Sequence, residues 1–335
     1  MMDTDATSNV TNVQTVGARA RSIVRWAASR SEAGIVLVLL ILTTILSLAT
    51  RTFLTADNLF NILRNYSDIA LSALGMTMVL VTGGIDLSVG SIMAFAGLVT
   101  ALALSNFGLP LPVALLLGVL AGGLVGLINA LLIVRLRLQP FIATLGMLGV
   151  ARGVVVGSTN GNIVGGDFST AFTTLGQGYV GPVPVPVIIL LILAIIVSLF
   201  LKYHVWGTYI YAIGGNETSA VLTGLPVKKV KMFVYIASGL LSGLAGILVV
   251  ARLGVSAPTQ AFGYELNVIA AAVIGGVSLQ GGRGTIAGSV LGAIIIGVLY
   301  NALVMLNVPT YWQQAFIGGI IILAALIDIL RQRRA

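Results

Sequence analysis

Long apolar runs separated by short polar or glycine-rich breaks fill most of this chain. A transmembrane helix needs about 20 apolar residues to cross a ~30 Å hydrocarbon core. Runs of that order occupy residues 33–50, 59–82, 85–105, 111–134, 138–157, 183–202, 231–251, 285–306 and 311–329. A tenth stretch, 263–279, is shorter and interrupted by small and polar residues, so it reads either as a full span or as a re-entrant segment. Residues 1–30, rich in Thr, Asn, Ser and Ala, read as a mobile tail. The pattern therefore predicts an all-α integral membrane protein of about ten helices, some of them short or broken, with residues 31–335 forming one transmembrane domain.

Charge placement decides the parity. If the tail, with Arg19, Arg21, Arg25 and Arg30, lies inside and all ten segments cross, the inner side also receives Arg135, Arg137, Lys202, Lys228, Lys229, Lys231, Arg283, Arg331, Arg333 and Arg334. That is 14 of the 18 basic residues, while the outer loops at 105–111, 158–182 and 306–311 hold none. Such asymmetry is the positive-inside pattern. If 263–279 failed to cross, the C-terminal arginines would fall outside, so ten spans with both termini cytoplasmic is the expectation.

Composition agrees. Hydrophobic residues make up 58% and charged residues 8% of the 335 residues, against roughly 25% charged in soluble domains. The net charge of +8 comes from single residues at the ends of apolar runs, with no basic stripe interleaved with aromatics, which argues against nucleic-acid binding. Cysteine is absent, and the first apolar run is long enough to stay as an anchor instead of a cleaved leader. The 41 glycines suit close helix packing and breaks beside a cavity. Two ladders, Gly118/Gly122/Gly126 and Gly284/Gly288/Gly292, repeat every four residues and are expected on single helix faces as packing surfaces, with pore lining as the lesser reading. Asp68 before Gly83-Gly84 and Glu265 before Gly281-Gly282 form a faint internal echo of the kind seen in transporter repeats.

Two segments carry the functional signal. Between the sixth and seventh spans, Asn216 is placed to cap a short helix that Glu217 favours at its positive end and that Gly224 and Pro226 terminate. The apolar Ala220, Val221 and Leu222 then have little of their own chain to cover them. This predicts a partner-docking helix over about 215–224, carried by Gly215, Asn216, Glu217, Ala220, Leu222 and Gly224. The alternative is an amphipathic linker on the lipid surface. The second segment is Gly83-Gly84-Ile85-Asp86-Leu87-Ser88-Val89-Gly90-Ser91, where Asp86 is expected to cap the following span, with gating or contact with the partner as the other readings.

Asn65, Asp68, Asp86, Ser88, Glu265 and Asn267 are the candidate residues of a pathway or gate. Arg64, Arg152 and Arg252 are the available countercharges, and structural pairing competes with function for each carboxylate. Asn301 and Tyr66, like Asn65 and Asn267, read equally as groups that hydrogen-bond a passing sugar and as interhelical hydrogen-bonding groups. His204, the sole histidine, reads as an interfacial anchor, and Asp328 with Arg331 as a helix-end pair. No G-x-x-x-x-G-K-[ST] sequence occurs, so the chain carries no phosphate-cradling loop of that type.

The 83–91 run resembles the GGIDLSVGS signature of the ribose-type monosaccharide permeases of ATP-binding cassette importers. Phe141-Ile142-Ala143-Thr144-Leu145, Arg152-Gly153, Thr159-Asn160-Gly161, the 209–217 run with Ala220 and Gly224, and the 263–284 stretch match further landmarks in order, covering about residues 34–330. The resemblance implies a bacterial inner-membrane permease for ribose or a related monosaccharide. Its partners would be a second permease chain, a cytoplasmic ATPase that holds the ATP and Mg, and a periplasmic sugar-binding protein. No cofactor or catalytic residue is expected in this chain, and residues 215–224 would be its coupling region. Val277, where ribose permeases more often carry threonine, resembles arabinose-type members. Alternatives outside this class are an ion-coupled secondary transporter using Asp68, Asp86 or Glu265, and a non-transporting membrane scaffold.

Overall fold

The computed structural model describes residues 31–309 except 167, together with 312, 313, 315, 316, 318, 319 and 322. The tail 1–30, the Asp328–Arg331 pair and most of the 311–329 run lie outside the described residues.

The described chain is a helical bundle. Its helices are α1 (Ser31–Ala49), α2 (Ala56–Val81), α3 (Val89–Ser105), α4 (Leu111–Val134), α5 (Pro140–Thr159), α6 (Thr170–Gln177), α7 (Val185–Tyr203), α8 (Val205–Gly215), α9 (Glu217–Leu222), α10 (Val227–Leu253), α11 (Tyr264–Ile274) and α12 (Ile286–Met305). Four two-residue strands, β1 (Val164–Gly165), β2 (Tyr179–Val180), β3 (Val183–Pro184) and β4 (Val255–Ser256), form the antiparallel pairs β1–β4 and β2–β3. Five helices, α4, α5, α7, α10 and α12, are long and apolar enough to cross a membrane. α2 has the length, but Asn58, Asn61, Arg64, Asn65 and Asp68 dilute its apolar character. α1 and α3 are shorter apolar helices.

α10 is the central helix, packed by α4, α2 and α3. The Gly118/Gly122/Gly126 ladder lies on α4 and makes that approach possible. A Cβ on Gly122 would strike the Gly239 carbonyl and come 2.8 Å from Gly243 Cα, and one on Gly126 would strike the Tyr235 carbonyl. With no side chains between them, the two backbones gain contact along the whole crossing. The second ladder is corrected in part. Gly288 and Gly292 sit on α12 against Gly275 and Ala271, but Gly284 lies ahead of the helix at φ 151°, because Thr285 is the N-cap.

The 263–279 stretch yields only an 11-residue helix, α11, about 16 Å long at 1.5 Å per residue and too short to cross alone. Likewise the third span begins four residues late. Residues 83–88 form an irregular break before α3, which starts beside the middle of α10, with the Met93 backbone against Gly246. The outer loop expected at 158–182 contains α6, capped by Ser169 and seated where Gly176 meets the Ala251–Arg252 backbone.

Apart from Arg51, Arg64, Arg152 and Arg252, the basic residues among the described residues, seven of eleven, gather at one end. The ends of α4 (before Arg135 and Arg137), of α7 (Lys202) and the start of α10 (Lys228, Lys229, Lys231) share it with α8, α9 and Arg283. The strand pairs and α6 occupy the opposite end, beside the last turn of α10.

Candidate functional site

At the basic end, α8 and α9 lie against the bundle, with Ile210 and Ile213 of α8 buried in its core. His204 is not simply an anchor: it is the N-cap of α8, its Nδ1 accepting from the Trp206 amide at 3.1 Å while the ring stacks on Phe200. Asn216 caps α9 as its sequence suggests, Oδ1 accepting from Ser219 N at 2.8 Å, and Gly224 at φ 80° ends it. Leu222 is 82% exposed and Val221 is exposed beside it. One expectation needs correction: Ala220 is only 4% exposed, because it turns back onto the bundle and offers no surface. Glu217 lies in the first turn as its sequence suggests, and Lys231 Nζ reaches its carboxylate at 2.6 Å.

Three glycine pairs meet just behind this helix. Gly282 N donates to Val81 O at 2.9 Å at the end of α2. A Cβ on Gly214 would overlap the Val81 carbonyl, one on Gly281 would lie 3.1 Å from Gly83 N, and one on Gly282 would lie 3.1 Å from Gly215 Cα. Tyr211 Oη donates to Gly284 O at 2.8 Å, and burial pushes its phenol above the ordinary range, which keeps it a donor. The base of α9 is thus joined backbone to backbone to the breaks at 83–88 and 275–284, the two segments where helices fail to continue.

Within the first break, Asp86 does not cap α3. Ser88 is the N-cap, and Asp86, two residues earlier and fully buried, accepts from Ser88 N (3.0 Å) and Ser88 Oγ (2.6 Å) through Oδ1 and from Ser238 Oγ (3.2 Å) through Oδ2. Asn129 Nδ2 donates to Ser88 Oγ at 2.8 Å, and Tyr235 Oη donates to Ile85 O at 3.3 Å. Three donors satisfy most of the carboxylate's accepting capacity, a condition for burying it without a cation.

The remaining candidates do not form one cluster with it. Asp68, 1% exposed, pairs with Arg252 at 2.8 Å. The same guanidinium donates to the carbonyls of Arg64 and Asn65, while the Asn65 side chain is exposed. Asn267 is buried with a long 3.5 Å contact to Tyr300, and Asn301 is spent on a reciprocal bond with Asn58. Glu265 sits at the start of α11 against Gly90: a Cβ there would lie 2.5 Å from Oε2. Asn129 was the group least visible in sequence as a partner of the first break. Its signal, a polar residue inside an otherwise apolar span, says only that a partner exists.

The family model described as branched-chain amino acid transport system / permease component matches residues 58–325. The chain is 42% identical over 299 residues to the ribose import permease protein of Haemophilus influenzae, covering 87% of this chain and 91% of the relative. It is 41% identical over 325 residues to the ribose import permease protein of Escherichia coli K12, covering 95% and 99%. It is 40% identical over 322 residues to the L-arabinose ABC transporter permease protein of Azospirillum brasilense, covering 95% and 93%. No solved structure matches the chain significantly. The motifs that resembled the ribose-type permeases thus have their counterpart in near-full-length similarity, and the chain belongs to the branched-chain amino acid transport system / permease component family.

Proposed function

We propose that this chain is the permease subunit of an ATP-driven importer of a ribose-like monosaccharide, working as a pair of permease chains with a cytoplasmic ATPase and a periplasmic sugar-binding protein. The observation that carries this reading is similarity to ribose import permeases along nearly the whole of both chains. ATP and Mg would be held by the ATPase, and this chain would contribute no cofactor. Ten spans with both termini cytoplasmic remain the preferred topology. The clustering of basic residues at the α8–α9 end supports assigning that end to the cytoplasm, with α11 and its flanking turns serving as the short tenth segment.

α9 would be the coupling helix, with Leu222 and Val221 as the docking surface. A tilt imposed there reaches α2 and the 275–284 turn through the glycine pairs, because backbones in direct contact move together. Those breaks border segments that regular helix does not fill, and non-helical backbone at membrane depth belongs beside protein or water. The sugar is neutral, which suits a pathway with few charges. The ion-coupled alternative loses one of its candidate carboxylates, since Asp68 is committed to Arg252.

The test is reconstitution in proteoliposomes with the ATPase and binding protein. D-ribose, L-arabinose or D-allose should accumulate only when ATP is supplied. Accumulation driven by a proton or sodium gradient without ATP would overturn the reading.

A further inference from the structure

The turn at 257–263 leaves β4 and folds back beside the first turn of α3. It is held rigidly from within. Arg152 Nη1 donates to Pro258 O at 2.9 Å and Gln260 O at 2.7 Å, Nη2 donates to Gly90 O at 3.3 Å, and Gln260 Nε2 donates to Gly246 O at 3.1 Å. Ala261 (φ 54°) and Gly263 (φ 78°) both adopt left-handed backbone, a costly choice for an alanine. Between them Phe262 is turned outward, 69% exposed, while Ala261 is buried.

The ring does not stand alone. The Arg152 guanidinium lies 5.9 Å from its centroid, within cation–π range. Glu265 is half-buried one turn on, against the same Gly90 whose carbonyl Arg152 holds. Among the described residues these two charges close no ion pair with each other. One Nη2 hydrogen and the Nε hydrogen therefore remain beside an exposed aromatic face, with the Glu265 carboxylate, turned toward the backbone N–H groups of Gly263 and Glu265, on the far side of Gly90.

Depth decides what this surface meets. Arg152 lies twelve residues into α5, about 18 Å along its axis, and Gly90 is one turn before Met93, which abuts Gly246 in α10. Charged groups at such depth are costly in lipid and face water or protein instead. An aromatic platform flanked by one cationic donor and one anionic acceptor suits a ligand with C–H faces and hydroxyls that both donate and accept.

We propose that Phe262, Arg152 and Glu265 form a sugar-stacking subsite on the translocation path, with the Phe262 ring as its platform. The inference rests on the permease reading above and adds the residues that hold the sugar in passage.

The test uses the complete reconstituted importer and reads sugar delivered per ATP hydrolysed. Phe262→Ala should lower D-ribose delivered per ATP by about five- to tenfold, the scale of losing one aromatic contact, while binding-protein-stimulated ATPase activity stays at the parent level. Phe262→Tyr should retain the parent ratio. In the cysteine-free chain, Phe262→Cys should react with a charged, membrane-impermeant thiol reagent, and D-ribose import should be blocked afterwards. If Phe262→Ala delivers sugar like the parent, or the cysteine reacts only with a lipid-soluble maleimide, the subsite is wrong. Loss of ATPase stimulation together with uptake in Phe262→Ala would overturn it too, by assigning Phe262 to packing. If the parent imports no sugar with ATP, the permease reading fails first, and the subsite with it.

Discussion

At the scale of single residues, burial separates the carboxylates that look alike in sequence. Asp68 is locked to Arg252 between α2 and the end of α10, whereas Asp86 is held by hydroxyl and amide donors alone. Removing one partner of a buried pair strands the other charge, at a cost of about 3–5 kcal/mol, while removing both is far milder. Asp68→Ala should therefore lower the thermal unfolding midpoint of the purified protein markedly, and Asp68→Ala with Arg252→Met should recover much of it. Equal losses in the single and double variants would show that the pair does not act as a unit. The carboxylates and their candidate countercharges were legible in the sequence. Which arginine served which carboxylate was not, since Arg252 lies 184 positions from Asp68 and only folding makes them neighbours.

At the scale of elements, capping and termination signals read correctly wherever they act locally. Asn216, Gly224 and the run between them specify α9 through contacts a few residues apart. Burial of Ala220 and pairing of Glu217 depend on α10, and sequence reasoning missed both for that reason. The exposed Leu222 is consequently the better probe of coupling than Ala220. Leu222→Asp should leave the amount of inserted permease unchanged and abolish both ATPase stimulation and ATP-driven uptake. Retention of both activities at equal membrane levels would return α9 to the role of a lipid-surface linker. α8 and α6 were missed outright, because a capping histidine at 204 and a small-residue helix within an outer loop resemble ordinary loop sequence.

At the scale of the whole molecule, the basic end, the two short helices α3 and α11 and the glycine pairs give the bundle its polarity. If the α8–α9 end is cytoplasmic, Leu222→Cys should react with an impermeant thiol reagent only in inverted vesicles, and Ile163→Cys, at the opposite end, only in intact cells with a permeabilised outer membrane. The reverse pattern would invert the topology. The chain has no native cysteine to confuse the readout.

The sequence by itself determined the solvent of this protein, the positions of its long helices, the α9 cap and the family, because apolar length, charge placement and local motifs act over a few residues to one helix. Tertiary structure alone decided that α11 is too short to cross, that Asp86 lies ahead of the α3 cap, and that Phe262 stands outward on an Arg152-braced turn. It also brought Gly83, Gly214 and Gly282 together. The physical reason is shared: each depends on groups far apart in the chain meeting at van der Waals or hydrogen-bond distance, and the hydrophobic period of a segment carries no information about which distant backbone it will touch.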